Sequence, residues 1–130
     1  MTQQTREALI IEDDRTQWIC YERPMIEEGW RCTFVSRGGD AIEQLSKKKH
    51  DLIVLDLGLQ EPGHQNSLSR GADVFRQIRE RTDTPILIIT ISKNRLPGRE
   101  LIKQLKPDYC IPKPFTPGDL RNALREIGLG

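Results

Sequence analysis

Long apolar runs and an excess of one charge are both missing from this sequence. No stretch of the 130 residues approaches the roughly 18 consecutive apolar residues of a membrane span, and the polar start before residue 8 lacks the apolar core of a signal peptide. Twenty lysines and arginines balance 19 aspartates and glutamates, so the net charge of +1 gives no sign of attraction to nucleic acid or membranes. We therefore expect a cytoplasmic protein without a direct nucleic-acid or membrane partner.

Two further motifs are lacking. The three cysteines, Cys20, Cys32 and Cys110, are odd in number and widely spaced, which excludes a disulfide framework or a metal-type pair and favours buried or partly buried free thiols. Gly38 and Gly39 have no further glycines at fixed spacing and no following lysine with serine or threonine. The pair is therefore not a loop that binds the phosphates of a nucleotide.

What is present suits a globular protein of one domain. Hydrophobic residues make up 36% and charged residues 30% of the chain, and 130 residues is the usual size of a single domain with one core. We see no linker, repeat or low-complexity tract, and we expect residues 1–130 to form one domain.

Five short apolar runs predict five strands, and the stretches between them predict five helices. The run at 51–56 is central, because four consecutive apolar residues before Asp56 indicate a strand covered on both faces. We predict strands at 8–11, 31–35, 51–56, 86–89 and 108–111. Helices are predicted at 15–28, from the turn at 38–40, at 71–81, at 95–105, and after a cap at Thr116 with Pro117 at the first position.

Several local features refine this outline. Pro24 should kink the first helix or end it near Arg23, because proline removes a hydrogen bond and clashes with the preceding turn. Ile19, Met25 and Ile26 are expected on the mainly apolar face of that helix, beside Trp18 and Glu22. Residues 47–50 are expected at the solvated end of the second helix. The segment 57–70 has no periodicity and several helix breakers, so we predict an unusually long loop there.

Strands that alternate with helices predict a doubly wound parallel α/β sheet with helices on both faces, and we expect the strand order 2-1-3-4-5. In that order the first and third strands are neighbours at the switch point, where open α/β sheets bind their ligands. Glu12 and Asp13 would then lie beside Asp56.

Three close carboxylates repel one another, so either one of them keeps a proton or a cation lies among them. Ligands that are all oxygen atoms and few in number favour Mg²⁺. Thr90 and Lys113 also end strands at this edge, and a hydroxyl and an ammonium group are suitable donors for the oxygens of a phosphoryl group. His64, in the predicted loop, could approach the acids, although a loop histidine is usually exposed to solvent.

Four fragments in order resemble the receiver domains of two-component response regulators, over residues 8–127. They are Ile-Ile-Glu12-Asp13-Asp14, Val-Leu-Asp56-Leu, Ile-Ile-Thr90 and Pro-Lys113-Pro114-Phe, each at the end of a predicted strand. The resemblance implies a flavodoxin-like fold of the chemotaxis-regulator type.

The resemblance also implies roles for the site residues. Asp56 would accept a phosphoryl group from the phosphohistidine of a histidine kinase or a histidine phosphotransfer protein. Asp13 would bind Mg²⁺ directly and Glu12 through water, while Gly58 would offer its backbone carbonyl. Thr90 would move toward the phosphoryl group and Lys113 would pair with it, with the Lys113–Pro114 bond in the cis form.

The chain also departs from the family pattern. The loop after Asp56 looks about seven residues longer than usual, and Ile91 replaces a small residue, so its bulk is expected to hinder water or a phosphatase. The aromatic switch residue is ambiguous, because the spacing from Lys113 selects Cys110 and the spacing from Thr90 selects Tyr109. A bulge at Pro112 would restore Tyr109 to the switch position; otherwise its coupling to the threonine is absent.

Two classes of function remain open. The first is a phosphorylation-driven switch that changes its surface for an unidentified downstream protein. The alternative is a non-switching receiver-like protein-interaction module. We expect no metabolic enzyme, because no pair of nucleophile and base is evident, and at most self-catalysed phosphoryl transfer and autodephosphorylation. The chain is expected to be a single-domain regulator or a fragment of a longer protein.

Overall fold

The apolar runs of the sequence form the strands of one parallel sheet. A computed structural model describes residues 5–60, 66–91 and 93–129. The strands are β1 (Arg6–Ile11), β2 (Trp30–Val35), β3 (Leu52–Asp56), β4 (Ile86–Thr90) and β5 (Tyr109–Pro112). The helices are α1 (Trp18–Glu27), α2 (Gly38–Lys47), α3 (Ser67–Arg81), α4 (Gly98–Leu105) and α5 (Pro117–Ile127). Among the described residues, no helix combines the length and apolar character that crossing a membrane would need.

The strand order is β2-β1-β3-β4-β5, and every neighbouring pair is parallel, as predicted. All five residues of β3 and all five of β4 are buried, because helices cover both faces of the sheet. The doubly wound α/β fold is confirmed. Since β1 and β3 are neighbours, the residues that follow them meet at one edge.

Two apolar layers hold the helices against the sheet. On one face the side chains of α1 and α5 pack against alternate residues of the strands. On the other face α2, α3 and α4 pack against the intervening residues. Val74, Phe75 and Ile78 of α3 and Leu120, Ala123 and Leu124 of α5 are buried, as their helical spacing predicted.

The first helix differs from the prediction in its length and in its buried face. A 3-10 turn at Arg15–Gln17 precedes α1, which continues through Pro24 to Glu27. The helix therefore does not end near Arg23, and the alternative, a kink at Pro24, stays a prediction. The buried residues of α1 are Tyr21, Pro24 and Met25. Ile19 and Ile26, predicted to face the core, are 62% and 57% exposed, because the helix turns Tyr21 inward instead.

Helix α3 begins four residues earlier than predicted, so the loop after Asp56 is shorter than the sequence suggested. Asn66 caps the helix, and its side-chain oxygen accepts a hydrogen bond from the amide of Ser69 at 3.1 Å. Residues 67–70 therefore form the first turn of α3 and not the end of the loop. The breakers at 61–65 lie outside the described residues.

Smaller differences concern helix α4 and strand β5, whereas α5 agrees with the prediction. Helix α4 begins at Gly98, three residues later than predicted. Helix α5 begins as predicted, because Thr116 and Asp119 form a reciprocal capping box and Pro117 is its first residue. Strand β5 is displaced by one residue and includes Pro112.

Two expectations about polar side chains are wrong. His50 is not solvated but only 2% exposed. It lies just before β3, where its backbone carbonyl accepts a hydrogen bond from the hydroxyl of Thr84. Cys20 is exposed rather than buried, since it lies on the outer side of α1, whereas Cys32 and Cys110 are half-buried. All three cysteines are free thiols.

Candidate functional site

Three carboxylates converge at the carboxyl end of the sheet. Glu12 and Asp13 follow β1 directly, and Asp56 is the last residue of the neighbouring strand β3. One oxygen from each acid lies within 4.8 Å of those from the other two. Glu12 and Asp56 are buried and Asp13 is half-exposed. The strand order thus brings together the three acids that the sequence predicted to meet.

The ammonium group of Lys113 contacts two of these acids. Its Nζ donates to Oε1 of Glu12 and, at 3.3 Å, to Oδ2 of Asp56. The side chain of Lys113 is only 12% exposed, so solvent and salt screen these ion pairs little. Its backbone N–H donates to the carbonyl of Thr90 at 3.0 Å, which joins the ends of β4 and β5. The Lys113–Pro114 peptide is cis, as predicted.

Glu12 receives further hydrogen bonds from residues that follow β1. The hydroxyl of Tyr21 in α1 donates to Oε1 at 2.8 Å, and the backbone N–H of Asp14 donates to Oε2 at 3.2 Å. The indole N–H of Trp18 donates to the backbone carbonyl of Glu12 at 2.9 Å. The first helix therefore holds both the side chain and the main chain of this acid.

Burial and mutual repulsion distribute protons unequally among the acids. Burial raises the pKa of Asp56 to about 8, and the charge of Glu12 adds to that rise. Burial opposes ionisation of Glu12 too, but hydrogen bonds with Asp56, Lys113 and Tyr21 bring the pKa of Glu12 below its usual value. Burial raises the pKa of Asp13. Without a metal ion, burial and the charge of Glu12 therefore favour the protonated form of Asp56.

Burial and the neighbouring acids also change the pKa of Lys113. Burial alone would lower the pKa of Lys113, but the charges of Asp56 and Glu12 outweigh burial and raise it. Lys113 therefore remains a cation at neutral pH. It supplies the positive charge that partly offsets the acid cluster.

An open cavity of about 680 Å³ lies over the acids. Thr90, at the end of β4, is 1% exposed and lines this cavity together with Lys113. Ile91 lies at its mouth with 75% of its surface exposed. The hydroxyl and the ammonium group that the sequence predicted at this edge therefore border the same space as Asp56.

The loop after β3 helps to hold the acids in place. The backbone N–H of Gly58 donates to Oδ1 of Asp56 at 3.1 Å, and that of Gln60 donates to Oδ2 of Asp13 at 3.4 Å. Gly58 therefore lies at the site, and the use of its carbonyl as a metal ligand stays a prediction.

The start of α3 also borders the cavity, through Asn66, Ser67 and Leu68. These three residues were not predicted to lie at the site, because their sequence is typical of a loop. The predicted approach of His64 to the acids lies outside the described residues.

The ambiguity over the aromatic switch residue is resolved by the strand register. Pairing between β4 and β5 is continuous, with Leu87 opposite Tyr109 and Thr90 opposite Pro112, so the bulge that would have restored Tyr109 is absent from this pair of strands. Tyr109 packs with the core cluster of α1 and α5, whereas Cys110 packs with the cluster that includes α4. Cys110 therefore occupies the position three residues before Lys113 and faces α4.

Tyr21 is the main site residue that sequence analysis did not identify. A signal was available, because Trp18, Tyr21 and Met25 follow a helical spacing and the middle residue carries a hydroxyl. The predicted face of α1 was rotated away from Tyr21, which concealed its proximity to Glu12.

The donor set of this site fits Mg²⁺. Glu12, Asp13 and Asp56 offer only oxygen atoms, as this ion prefers, and the exposure of Asp13 leaves a path for entry. Burial and, after it, the negative charges of Glu12 and Asp13 raise the pKa of Asp56 despite the nearby Lys113. A divalent cation would relieve that repulsion.

Fold and site together define a class of protein. A flavodoxin-like parallel sheet in the order 2-1-3-4-5 carries an acidic pocket at its switch point, with a threonine and a lysine beside it. The chain matches the response regulator receiver domain over residues 8–125, and it belongs to that family. Receiver domains of response regulators act in phosphorylation-dependent two-component signalling, which is thus the function of the family to which this chain belongs.

Two curated relatives illustrate the likeness in sequence. The chain is 26% identical over 120 residues to the sensory transduction protein RegX3 of Mycolicibacterium smegmatis, covering 92% of this chain and 49% of that protein. It is 28% identical over 119 residues to the response regulator ArlR of Staphylococcus epidermidis, covering 92% of this chain and 51% of that protein. The chain thus spans about half the length of these relatives.

Solved structures agree with the fold. The receiver domain of a sensor histidine kinase from Pseudomonas aeruginosa PAO1, solved with magnesium coordinated in its active site cleft, is 26% identical with a TM-score of 0.79, covering 96% of this chain and 99% of that one. The chemotaxis response regulator CheY4 of Vibrio cholerae has a TM-score of 0.80 at 19% identity, covering 95% and 99%. The second likeness supports the fold alone.

Proposed function

We propose that this domain is a phosphorylation-driven switch whose phosphoacceptor is Asp56. It would take the phosphoryl group from the phosphohistidine of a histidine kinase or of a histidine phosphotransfer protein. The observation that carries the proposal is the placement of Asp56, which is buried among two further acids and Lys113 beneath an open cavity of about 680 Å³. A pocket of this size leaves room for a phosphoryl group to approach the carboxylate.

The transfer requires a carboxylate oxygen of Asp56 to attack phosphorus from the side opposite the histidine nitrogen. A P–O bond forms, the P–N bond breaks, and its electron pair returns to the imidazole, which then takes up a proton. Lys113 is close enough to Asp56, at 3.3 Å, to pair with the incoming phosphoryl oxygens. The hydroxyl of Thr90 would donate to another of these oxygens.

Mg²⁺ is the proposed cofactor, held by Asp13 directly, Glu12 through water, Asp56, and the carbonyl of Gly58. When bound, the ion would neutralise charge on the phosphoryl oxygens and on the acids. The magnesium named for the Pseudomonas receiver domain supports this assignment, because that domain shares the fold and 26% of the sequence. In this chain the acids then have to be ionised, so Asp56 would give up its proton on metal binding.

Phosphorylation would add negative charge at Asp56 and so draw Lys113 and Thr90 toward it. The resulting change at the surface of α4, β5 and α5 would select a downstream protein. We propose no metabolic substrate, and only self-catalysed phosphoryl transfer with slow loss of the phosphoryl group. Ile91, at the cavity mouth, would slow that loss by shielding the acyl phosphate from water.

Incubation with Mg²⁺ and acetyl phosphate tests this function. We expect intact-mass spectrometry to show the gain of one phosphoryl group, which Asp56→Asn abolishes and Asp83→Asn retains. Asp83 is a matched control because it is exposed in the loop before β4, away from the cavity lining. A mass gain that persists in Asp56→Asn would overturn the assignment of the acceptor.

A second measurement separates the proposal from a non-switching interaction module. Mg²⁺ with beryllofluoride, a mimic of the phosphoryl group, should shift amide resonances of α4 and β5 in the wild-type protein. If neither reagent alters the mass or the spectrum, the domain keeps the receiver fold without the switch, and the alternative is correct.

A further inference from the structure

Tyr21 is buried in α1 with its hydroxyl against the acidic site. Its side chain is 0% exposed, and its O–H donates to Oε1 of Glu12 at 2.8 Å. The ring packs against Phe115, with centroids 5.1 Å apart and planes tilted by 44°. Phe115 lies two residues beyond Lys113, so Tyr21 contacts the site through Glu12 and the turn after β5 through its ring.

A hydroxyl at this position needs a physical explanation, because the rest of the surroundings is apolar. Tyr21 belongs to a cluster that includes Met25, Leu120 and Leu124, where a phenylalanine or leucine would pack without a polar atom. Burying a hydroxyl without a partner is unfavourable, so the group is tolerated because Glu12 accepts its hydrogen bond. The side chain therefore does more than fill the core.

The hydrogen bonds of Glu12 distinguish its two carboxylate oxygens. Oε1 accepts from both Tyr21 and Lys113, which fills the lone pairs that such an oxygen offers. Oε2 accepts from the backbone N–H of Asp14 at 3.2 Å. Two donors on one oxygen fix the rotation of the carboxylate and leave Oε2 as the oxygen able to take a further ligand.

We propose that Tyr21 is a positioning residue that orients Glu12 for Mg²⁺. It acts through Glu12 and touches neither the metal nor the phosphoryl group. The inference rests on the proposed Mg²⁺ site and extends it into α1. Partners that orient ligating carboxylates typically change metal affinity by about 10-fold to 100-fold when they are removed.

Isothermal titration of Mg²⁺ into the wild-type protein and into Tyr21→Phe tests the proposal. We expect the dissociation constant of Tyr21→Phe to be about tenfold higher, because Glu12 loses one of its fixed donors. Tyr109→Phe is the matched control. This variant removes the other tyrosine hydroxyl of the chain, from a side chain that packs against the same core cluster without reaching Glu12. Its affinity for Mg²⁺ should equal that of the wild type.

A double-mutant cycle shows whether the effect passes through Glu12. In a Glu12→Ala background the hydroxyl of Tyr21 has no carboxylate to orient, so adding Tyr21→Phe should leave the Mg²⁺ affinity unchanged. A purely structural role of Tyr21 would instead lower the melting temperature equally in both backgrounds without this difference in affinity. Equal losses of affinity in both backgrounds would contradict the proposal.

A fluorine signal gives a readout that does not need a folded Tyr21→Phe variant. The chain has two tyrosines, so incorporation of 3-fluorotyrosine into Tyr109→Phe labels Tyr21 alone. We expect its ¹⁹F resonance to shift as Mg²⁺ binds, and an unchanged resonance at saturating Mg²⁺ would overturn the inference. If the wild-type protein binds no Mg²⁺, the proposed cofactor fails; if it binds and Tyr21→Phe binds equally well, only the role of Tyr21 fails.

Discussion

Tyr109 and Cys110 are consecutive residues of β5 whose side chains lie on opposite faces of the sheet. Tyr109 packs toward α1 and α5, and Cys110 toward α3 and α4. Because side chains alternate along a strand, a continuous register from Tyr109 to Pro112 permits no other arrangement. The position beneath α4 thus carries a thiol, so the coupling of Thr90 to an aromatic side chain there is absent in this domain.

The three thiols should react at very different rates with a disulfide reagent. Cys20 is exposed, whereas burial raises the pKa of Cys110 to about 11 and that of Cys32 to about 12. At pH 8 only about one thousandth of the Cys110 side chain is then thiolate, the reactive form. We expect one fast and two slow phases when the modified thiols are followed by absorbance. Cys20→Ser should remove the fast phase alone; loss of a slow phase would contradict the assignment.

Trp18 should report Mg²⁺ binding through its fluorescence. Its indole N–H donates to the backbone carbonyl of Glu12 at 2.9 Å, and its ring stacks on that of Phe34 with the ring centroids 5.1 Å apart. Trp30 instead begins β2, at the opposite end of the sheet, where the guanidinium of Arg6 lies over its ring. We expect the Mg²⁺-dependent change in emission to vanish in Trp18→Phe and to persist in Trp30→Phe. The reverse pattern would exclude Trp18 as the reporter.

Gly71 should be intolerant of any side chain. A Cβ on this residue would overlap the backbone carbonyl of Leu57, which cannot move without shifting the end of β3. We expect Gly71→Ala to lower the free energy of unfolding by about 2–3 kcal/mol, since overpacking outweighs the helix propensity that alanine gains. Urea denaturation measures the difference.

Gly39 provides the matched control for this substitution. It lies in the first turn of α2, and a Cβ there would meet no atom within 4 Å. Gly39→Ala should therefore raise the free energy of unfolding by about 0.5–1 kcal/mol. Equal effects of the two alanines would show that steric overlap at Gly71 is not decisive.

His50 should contribute a loss of stability in mild acid, opposite in sign to the contribution of Asp56, whose raised pKa favours the folded state as the pH falls. Its ring is buried, neither ring nitrogen has a hydrogen-bond partner among the described residues, and burial and the charge of Lys48 lower its pKa in the folded state. Between the pKa of the folded state and that of the unfolded state, the unfolded chain therefore binds a proton that the folded chain does not bind. This contribution is fully present above the unfolded value of about 6.5 and is lost as the pH falls below it.

Urea denaturation between pH 5 and 7.5 measures this contribution. The free energy of unfolding should fall by at most about 1.4 kcal/mol per pH unit below pH 6.5 through this residue. His50→Phe should remove that part of the slope, and the comparison of slopes remains valid even if the larger ring alters the absolute stability. An unchanged slope would mean that His50 protonates equally in both states.

The sheet could be predicted from sequence because its signals are local and strong. The run before Asp56 is apolar at every position, which only a strand covered on both faces requires. The alternation of strands and helices predicted a doubly wound parallel sheet, and with the chosen order 2-1-3-4-5 the meeting of Glu12, Asp13 and Asp56 followed from geometry. Lys113 and Thr90 were placed by the same reasoning.

The differences arise where tertiary contacts override local patterns. Pro24 lies inside α1 because packing of the flanking residues outweighs the one hydrogen bond that proline removes. Tyr21 faces inward, where Glu12 accepts a hydrogen bond from its hydroxyl; the helical spacing of Tyr21 allows that position, but the contact with Glu12 depends on the tertiary fold. The start of α3 depends on the cap at Asn66, a single side-chain contact among residues that otherwise favour turns.

The close approach of Gly71 to Leu57 has a consequence for how such a domain can vary. The backbone of Gly71 in α3 lies there against the backbone of Leu57, the residue after β3, so both ends of the connecting segment are held by main-chain contact. A change of length between Gln60 and the cap at Asn66 would therefore leave this contact in place. The rim of the pocket could therefore vary while the acids at the bottom of the pocket keep their positions. Relatives with a different segment there could bind different partners and still have the same arrangement of site residues.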